Sequence, residues 1–179
     1  MIKTSHSILF VLILCMAACV NKHASNNTRV INIDTITYYN PEKYTEVVTD
    51  TVLDAIHNFR VIIKKASRMD KFVSQITQTD STHAQQINYR DNAINLKVLV
   101  DNKPILDTLL SKENLRHVGD PEFLDKSIVS DLRIESFNKA AQTVTMSYRV
   151  LVPNSTWVYH YSLTANSTGK CDILLLEIH

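Results

Sequence analysis

Glycine is the residue this sequence most lacks: Gly119 and Gly169 are the only two among 179 residues. Nucleotide-binding loops of the P-loop and dinucleotide types need several glycines close together, because their backbone must approach a phosphate closely. Two glycines that lie far apart in the chain cannot form such a loop. The sequence therefore excludes both of these nucleotide-binding classes.

Cysteine is nearly as scarce, and the whole set is Cys15, Cys19 and Cys171. The first two lie within or next to an N-terminal apolar segment, which leaves Cys171 alone in the rest of the chain. An intramolecular disulfide in the folded domain is thus excluded. Because Cys171 begins an apolar run, we expect it to be buried as a small hydrophobic residue rather than to act as a reactive thiol.

Neither sign of charge is in excess, since 19 Lys and Arg residues balance 18 Asp and Glu residues. Proteins that bind nucleic acid through its phosphates carry a clear basic surplus on the binding face. The balance predicts no nucleic-acid partner.

Motifs for catalysis and metal binding are also missing. The seven histidines have no His-x-His or His-Glu-x-x-His spacing, and no Gly-x-Ser-x-Gly occurs. We interpret the close pair His117 and Asp120 as a loop before a helix rather than a metal site. Cys171 with His160 is the one cysteine–histidine combination that adjacent strands could bring together. The sequence predicts no catalytic residues, no metal and no cofactor, and an envelope hydrolase is the less favoured alternative.

The N terminus carries the clearest positive signal. Lys3 precedes an apolar run over residues 8–14, and two alanines stand directly before Cys19. A basic start, an apolar centre and small residues in this order are typical of a secretory signal peptide. The apolar part is much shorter than the ~20 residues of a spanning helix, which argues against a permanent transmembrane anchor.

The residues Met16-Ala17-Ala18-Cys19 resemble the lipobox of bacterial lipoproteins. The resemblance implies that the chain is cut before Cys19, whose thiol receives a diacylglyceryl group and whose new amine is usually acylated. Such chains would anchor the domain stably to a membrane of the cell envelope; a secreted soluble protein is the alternative. The acidic cluster of surface-exported Bacteroidota-type lipoproteins does not follow Cys19, so we expect the domain to face the periplasm.

Composition and periodicity divide the chain into a signal peptide (1–18), a flexible tether (19–44) and a single β-rich domain (45–179). Alternation of apolar and polar residues, clearest from Ala93 to Val100, predicts strands. Hairpin-length links between the last strands predict an antiparallel meander. The expected fold is mostly β: an antiparallel β-meander sandwich or a half-closed barrel.

Two local patterns extend this prediction. Asp120-Pro121-Glu122 supplies a capping side chain, a proline at the first helical position and an acid in the first turn, so a short helix is expected near 121–129. The final strand contains Ile173 to Leu176 and is apolar on both faces. That composition favours a central or helix-covered position.

An aromatic row, Trp157, Tyr159 and Tyr161, occupies one face of a predicted strand. One interpretation is a core face in which the polar tips reach partners. The other is a surface for a ligand or partner, because aromatic rings on a rigid sheet suit stacking. Both interpretations follow from the same alternation.

Over about residues 45–178 the chain is also similar to a family of small uncharacterised Bacteroidota lipoproteins, classed as a domain of unknown function. The residues that carry this similarity, besides the lipobox, are Asp50-Thr51-Val52-Leu53, Phe59-Arg60-Val61, Tyr89-Arg90-Asp91, Phe123-Leu124, Val152-Pro153 and Trp157. The family implies no activity and no functional residue other than Cys19. We expect a membrane-tethered, non-enzymatic module that binds an unknown envelope protein or small ligand; the alternative is a carrier of a lipid or small apolar ligand in a barrel cavity.

Overall fold

The computed structural model describes residues 34–178, so the expected signal peptide, Cys19 and the first part of the expected tether lie outside the described residues. The strands are β1 (Asp34–Asn40), β2 (Glu46–Asp54), β3 (Phe59–Gln78), β4 (His83–Val100), β5 (Lys103–Leu110), β6 (Ile128–Asn138), β7 (Thr143–Leu151), β8 (Val158–Asn166) and β9 (Cys171–Ile178). A 3-10 helix (Lys112–Leu115) and one short α-helix, α1 (Pro121–Lys126), lie between β5 and β6.

Two sheets pack around one core and confirm the mostly-β prediction. The first is mixed, with the order β1-β4-β3-β2 and with β5 also pairing with β4; the second is antiparallel, with the order β6-β7-β8-β9. The predicted meander is this second sheet. The sheets do not close into a barrel, so the sandwich is the one of the two expected architectures that forms.

The core lies between the inner faces of the two sheets. On β4, Ile94, Leu96 and Val98 have no exposed surface, and on β7 every second residue from Val144 to Val150 is fully buried. This is the period of two that strands impose on side-chain direction. Each fully buried aliphatic or aromatic side chain contributes about 1.5–3 kcal/mol relative to an exposed one, which fixes the register of both sheets.

Strands β3 and β4 extend beyond the sandwich. Their register shifts between Ser67 and Phe72, and past this irregularity residues 72–78 pair with residues 84–90. β1 runs parallel to β4 along residues 83–89. We call this three-stranded projection, made of residues 34–40, 72–78 and 83–90, the fin.

The fin corrects the prediction of a tether over 19–44. Residues 34–40 form a paired strand, because Thr35 to Tyr39 are β-branched or aromatic residues that align with β4. All seven residues of β1 are nevertheless exposed. The ordered domain therefore begins by Asp34.

The predicted helix is present but ends earlier than expected. Asp120 caps it by accepting a hydrogen bond from the backbone N–H of Glu122 (3.0 Å). The helix stops at Lys126, because Ile128 and Val129 pair with Leu151 and Val150 at the start of β6. The extension to residue 129 was wrong. Within the described residues, no helix has the length and apolar character needed to cross a membrane.

The position expected for the last strand is also wrong. β9 is an edge strand that pairs only with β8 in the described sheet. Leu174 and Leu176 on it are 64% and 66% exposed. An apolar composition on both faces therefore marks an uncovered edge here, not a central strand.

Candidate functional site

A groove of about 650 Å³ lies between β5 and β9. β5 borders the first sheet on this side and β9 borders the second. Each of these strands has one side without a strand partner in the described sheets, and these sides flank the groove. Edge strands of this kind present free backbone N–H and C=O groups that another chain can pair with.

The floor of the groove is apolar. Leu106 and Leu110 of β5 lie across from Val98 and Ile94 on the core-facing side, and Ile173 of β9 lies across from buried Leu163. These side chains belong to the inner faces of the two sheets. The groove is therefore an opening into the hydrophobic core, and an apolar side chain inserted there would contact the core directly.

One of the two glycines packs directly against a strand of the groove. Gly169, in the β8–β9 turn, has φ +83°, and a Cβ at this position would collide with the carbonyl oxygen of Ile105 at the start of β5. Gly119 follows His117, which lines the opposite end together with Asn114 of the 3-10 helix. The bare backbone at Gly169 thus allows the turn to pack against β5.

The rim of the groove is polar. Cys171, whose thiol lines the groove, has the character of an unreactive cysteine. Cys171 is half-buried, and burial, followed by the charge of Asp172, raises the pKa of its thiol. The thiol therefore stays protonated at neutral pH and is a weak nucleophile. Lys170 and Asp172 form an ion pair at the rim, with Nζ and Oδ2 2.9 Å apart. An apolar floor with a polar rim suits binding more than nucleophilic chemistry.

A second opening, of about 230 Å³, lies between β2 and β6 on the other side of the sandwich. Charged residues line it: Lys65, whose Nζ donates to the carbonyl oxygen of Ser130 (3.0 Å), and Asp131 with Arg133, whose side chains are paired at 2.9 Å. The charged side chains of this smaller opening already have partners within the chain. The β5–β9 groove is the better candidate for a binding site.

The aromatic row Trp157, Tyr159 and Tyr161 does not form an exposed binding surface, which was one of the two interpretations of its sequence pattern. Tyr159 is 4% exposed and Tyr161 is fully buried. The ring of Phe123 on α1 stacks on Tyr159, with centroids 3.7 Å apart, and contacts the edge of half-buried Trp157 at 5.2 Å. Helix α1 covers this face, so the core interpretation is correct for the two tyrosines.

One histidine and one acid are paired where two hairpins meet. His57 Nδ1 lies 2.7 Å from Asp54 Oδ2. This hydrogen bond is the main reason that the pKa of Asp54 is lowered to about 2. Asp54 also accepts from the backbone N–H of Ile56 and lies 3.5 Å from the amine of Lys139. The buried carboxylate therefore ties the β2–β3 turn to the β6–β7 hairpin, which is a structural role.

The other two residue pairs suggested by the sequence, His117 with Asp120 and Cys171 with His160, do not form sites in the structure. Asp120 is engaged in capping α1, as the loop interpretation of His117 and Asp120 expected. Cys171 pairs with Ala165 on the inner face, whereas His160 is aligned with Arg149 on the outer face. Within residues 34–178 there is no group of three or more His, Cys, Asp or Glu side chains arranged to hold a metal.

Sequence reasoning missed the groove because its two walls come from different sheets. Leu106 and Ile173 are far apart in the chain, and only the strand order places β5 and β9 on the same side. The available signal was the doubly apolar run from Ile173 to Leu176. The exposure of that run depends on β9 having no second neighbouring strand.

Comparison with known proteins gives a family without an assigned role. Residues 15–173 match the family described as Domain of unknown function (DUF4738), and the chain belongs to this family. No curated protein matches the sequence. The similarity expected from the sequence to a domain of unknown function is thereby confirmed, and any function must be argued from the chain's own geometry.

Proposed function

We propose that this chain is a lipid-anchored, non-enzymatic binding module of the cell envelope, which takes an extended apolar segment of a partner protein into the β5–β9 groove. The observation that carries the proposal is the groove itself, which has a volume of about 650 Å³ and an apolar floor, and which lies between two edge strands. The lipid anchor is the one expected at Cys19, with the domain facing the periplasm.

An extended peptide fits this geometry better than a compact ligand does. A peptide strand added to β9 would satisfy backbone groups that β8 leaves free, and its alternate side chains would point into the groove. Ile173 and Leu174, which both line the groove, would contact the inserted side chains. Backbone pairing supplies affinity in this mode, and the apolar pockets supply specificity.

A lipid carrier is the second candidate, and the fold weakens it. Carriers of this type hold their ligand inside a closed barrel. Here the space between the sheets is filled by side chains such as Phe59, Met146 and Tyr148, which have no exposed surface. A small apolar ligand would have to occupy the groove rather than the interior.

Peptide binding is tested with a matched pair of substitutions on β9. Leu174 and Leu176 are exposed to the same extent, but only Leu174 lines the groove. Fluorescence anisotropy with a library of short extended peptides, in which apolar and polar residues alternate, should reveal binders whose affinity Leu174→Lys lowers by about tenfold or more. Leu176→Lys should leave it within about threefold. Equal losses in both variants, or no binder in the library, would refute the groove as the site.

The anchor is tested separately. Intact-mass analysis of protein from the membrane fraction should find residues 1–18 removed and acyl groups added at Cys19. Cys19→Ser should abolish the added acyl mass. Protein that keeps its first 18 residues, or that carries no acyl group at Cys19, would contradict the proposed anchor.

A further inference from the structure

Several of the exposed large apolar side chains lie on the fin. Ile36, Tyr38, Tyr39, Phe72 and Ile76 are between 42% and 67% exposed. The β7–β8 turn contacts the fin, where Pro153 and Asn154 hydrogen-bond to Gln75 and Tyr89, but these five side chains remain exposed. Apolar groups clustered on a projection usually mark an interaction surface.

These side chains lie on both faces of the fin. Tyr38 is aligned with Ile87 on one face. Tyr39, its neighbour in the chain, must point to the opposite face. There its ring contacts the edge of the Phe72 ring, with centroids 5.8 Å apart. A protein or glycan that docks on one face would leave the aromatic residues of the other face in water.

A lipid surface can contact both faces at once. When a narrow sheet lies edge-on at the headgroup level, apolar groups on either side enter the interface together. Tyrosine is suited to this depth, because its ring is apolar and its hydroxyl is polar. The outer edge of β1 has no strand partner in the described sheet, so its backbone needs water or headgroups. The fin can therefore lie in the interfacial layer of a membrane but cannot enter its hydrocarbon centre.

The fin begins shortly after the proposed anchor in the sequence. Only residues 20–33 separate Cys19 from the start of β1. A chain of that length spans at most about 50 Å. The length of this segment is compatible with contact between the fin and the membrane that holds the anchor.

We propose that the fin is a membrane-docking surface that holds the domain against lipid headgroups edge-on, through Ile36, Tyr38, Tyr39, Phe72 and Ile76. This inference rests on the proposed lipid anchor, which raises the local concentration of the fin at the bilayer. The residues that form the fin include one acid, Asp34, one arginine, the buried Arg90, and no lysine. Docking is therefore driven by apolar burial and depends little on salt.

The test removes the anchor and measures the fin alone. The chain from residue 19 onward, carrying Cys19→Ser, is mixed with vesicles of phosphatidylethanolamine and phosphatidylglycerol and sedimented at low and at high salt. The parent should partition to the vesicles at both salt concentrations. Ile76→Ser and Tyr38→Ser should each lower the partition coefficient by about threefold to tenfold, in line with the loss of buried apolar area.

Ile56→Ser is the matched control. Ile56 is 76% exposed in the turn before β3, at the far end of that strand from the fin. This variant should partition like the parent, and unfolding curves should show that all three variants remain folded. Failure of the parent to bind vesicles, or an equal loss in Ile56→Ser, would overturn the proposal. Peptide binding in the groove is measured without vesicles, and acylation at Cys19 is measured by mass spectrometry. Failure of either of these proposals is therefore distinguishable from failure of the fin to bind membranes.

Discussion

The guanidinium carbon of Arg90 lies 4.4 Å from the centre of the Tyr39 ring, and this contact joins β4 to β1. Arg90 also donates from Nε to the carbonyl oxygen of Pro41 (3.1 Å) and from Nη1 to that of Met69. Its side chain is almost fully buried. One planar, charged group therefore fastens the first strand and two neighbouring backbone segments together.

Arg90→Lys should lower the free energy of unfolding by about 1–3 kcal/mol, because a lysine amine cannot make both backbone hydrogen bonds and the ring contact. Chemical denaturation measures the total loss, and hydrogen exchange should find the largest loss of protection in β1. Arg133→Lys is the control: Arg133 is 68% exposed in its pair with Asp131, and we expect a change within about 0.5 kcal/mol. Equal effects of the two variants would contradict the role of Arg90.

Gly119→Ala should destabilise the domain by about 1–3 kcal/mol, because a Cβ at this position would lie 2.6 Å from the hydroxyl oxygen of Tyr161. Tyr161→Phe removes that oxygen. The hydroxyl has no hydrogen-bond partner within the described core, so we expect Tyr161→Phe alone to cost less than about 1 kcal/mol. The double variant should be more stable than Gly119→Ala, and unfolding curves of all four proteins give the coupling. Simple additivity would show that the close approach is not the cause.

Asp91 should make the domain less stable as the pH rises. Its Oδ1 accepts the backbone N–H of Val129 (2.8 Å), whereas Oδ2 is buried without a partner among the described residues. Burial raises the pKa of Asp91 above its ordinary value of 3.8. Below that value the carboxyl is protonated in both states. As the pH rises above it, the unfolded state loses the proton first, so the free energy of unfolding falls until the folded state has also ionised.

Asp91→Asn should remove this dependence. The stability of the variant relative to the parent should increase as the pH rises above 3.8, whatever constant cost the amide introduces. Urea denaturation at several pH values measures the difference. Asp125→Asn changes an acid that is 62% exposed, and its stability relative to the parent should vary less with pH. A constant difference for Asp91→Asn would contradict the raised pKa.

Trp157→Ala should cost about 2–4 kcal/mol of stability, because the indole is half-buried against the ring of Phe123. Peptide binding in the groove should change by less than about threefold, since Trp157 does not line the groove. Denaturation and anisotropy on the same variant provide the two readouts. A loss of binding without a loss of stability would restore the surface interpretation of this residue.

The strands were predictable where a strand has one buried and one exposed face. Ile94 to Val98 alternate in the sequence as they do in the structure, and the short links after Asn138 predicted the meander. The start of α1 was also predictable, because Asp120 caps it through local chemistry. Its end was not, because Val129 joins β6 by pairing with Val150, which is distant in the chain.

The candidate site was not predictable from the same patterns. Ile173 and Leu174 looked like part of a central strand, since local apolarity does not distinguish a strand with two neighbours from a strand with one. The row from Trp157 to Tyr161 was ambiguous in the opposite sense, because its pattern was compatible with an exposed surface as well as with a core face. Its tyrosines are buried because α1 brings Phe123 onto them, and the sequence alone did not specify where the helix packs.

By itself, the sequence determined the features that depend on near neighbours: the lipobox-like N terminus, the alternation that makes strands, the turns between β6 and β9, and the capped start of α1. The tertiary structure decided which strands are edges, that β5 and β9 face one groove, and that β1 extends the fin. The reason is physical. Side-chain period and capping act over a few residues, whereas exposure of a strand edge depends on contacts that only the assembled sheets create.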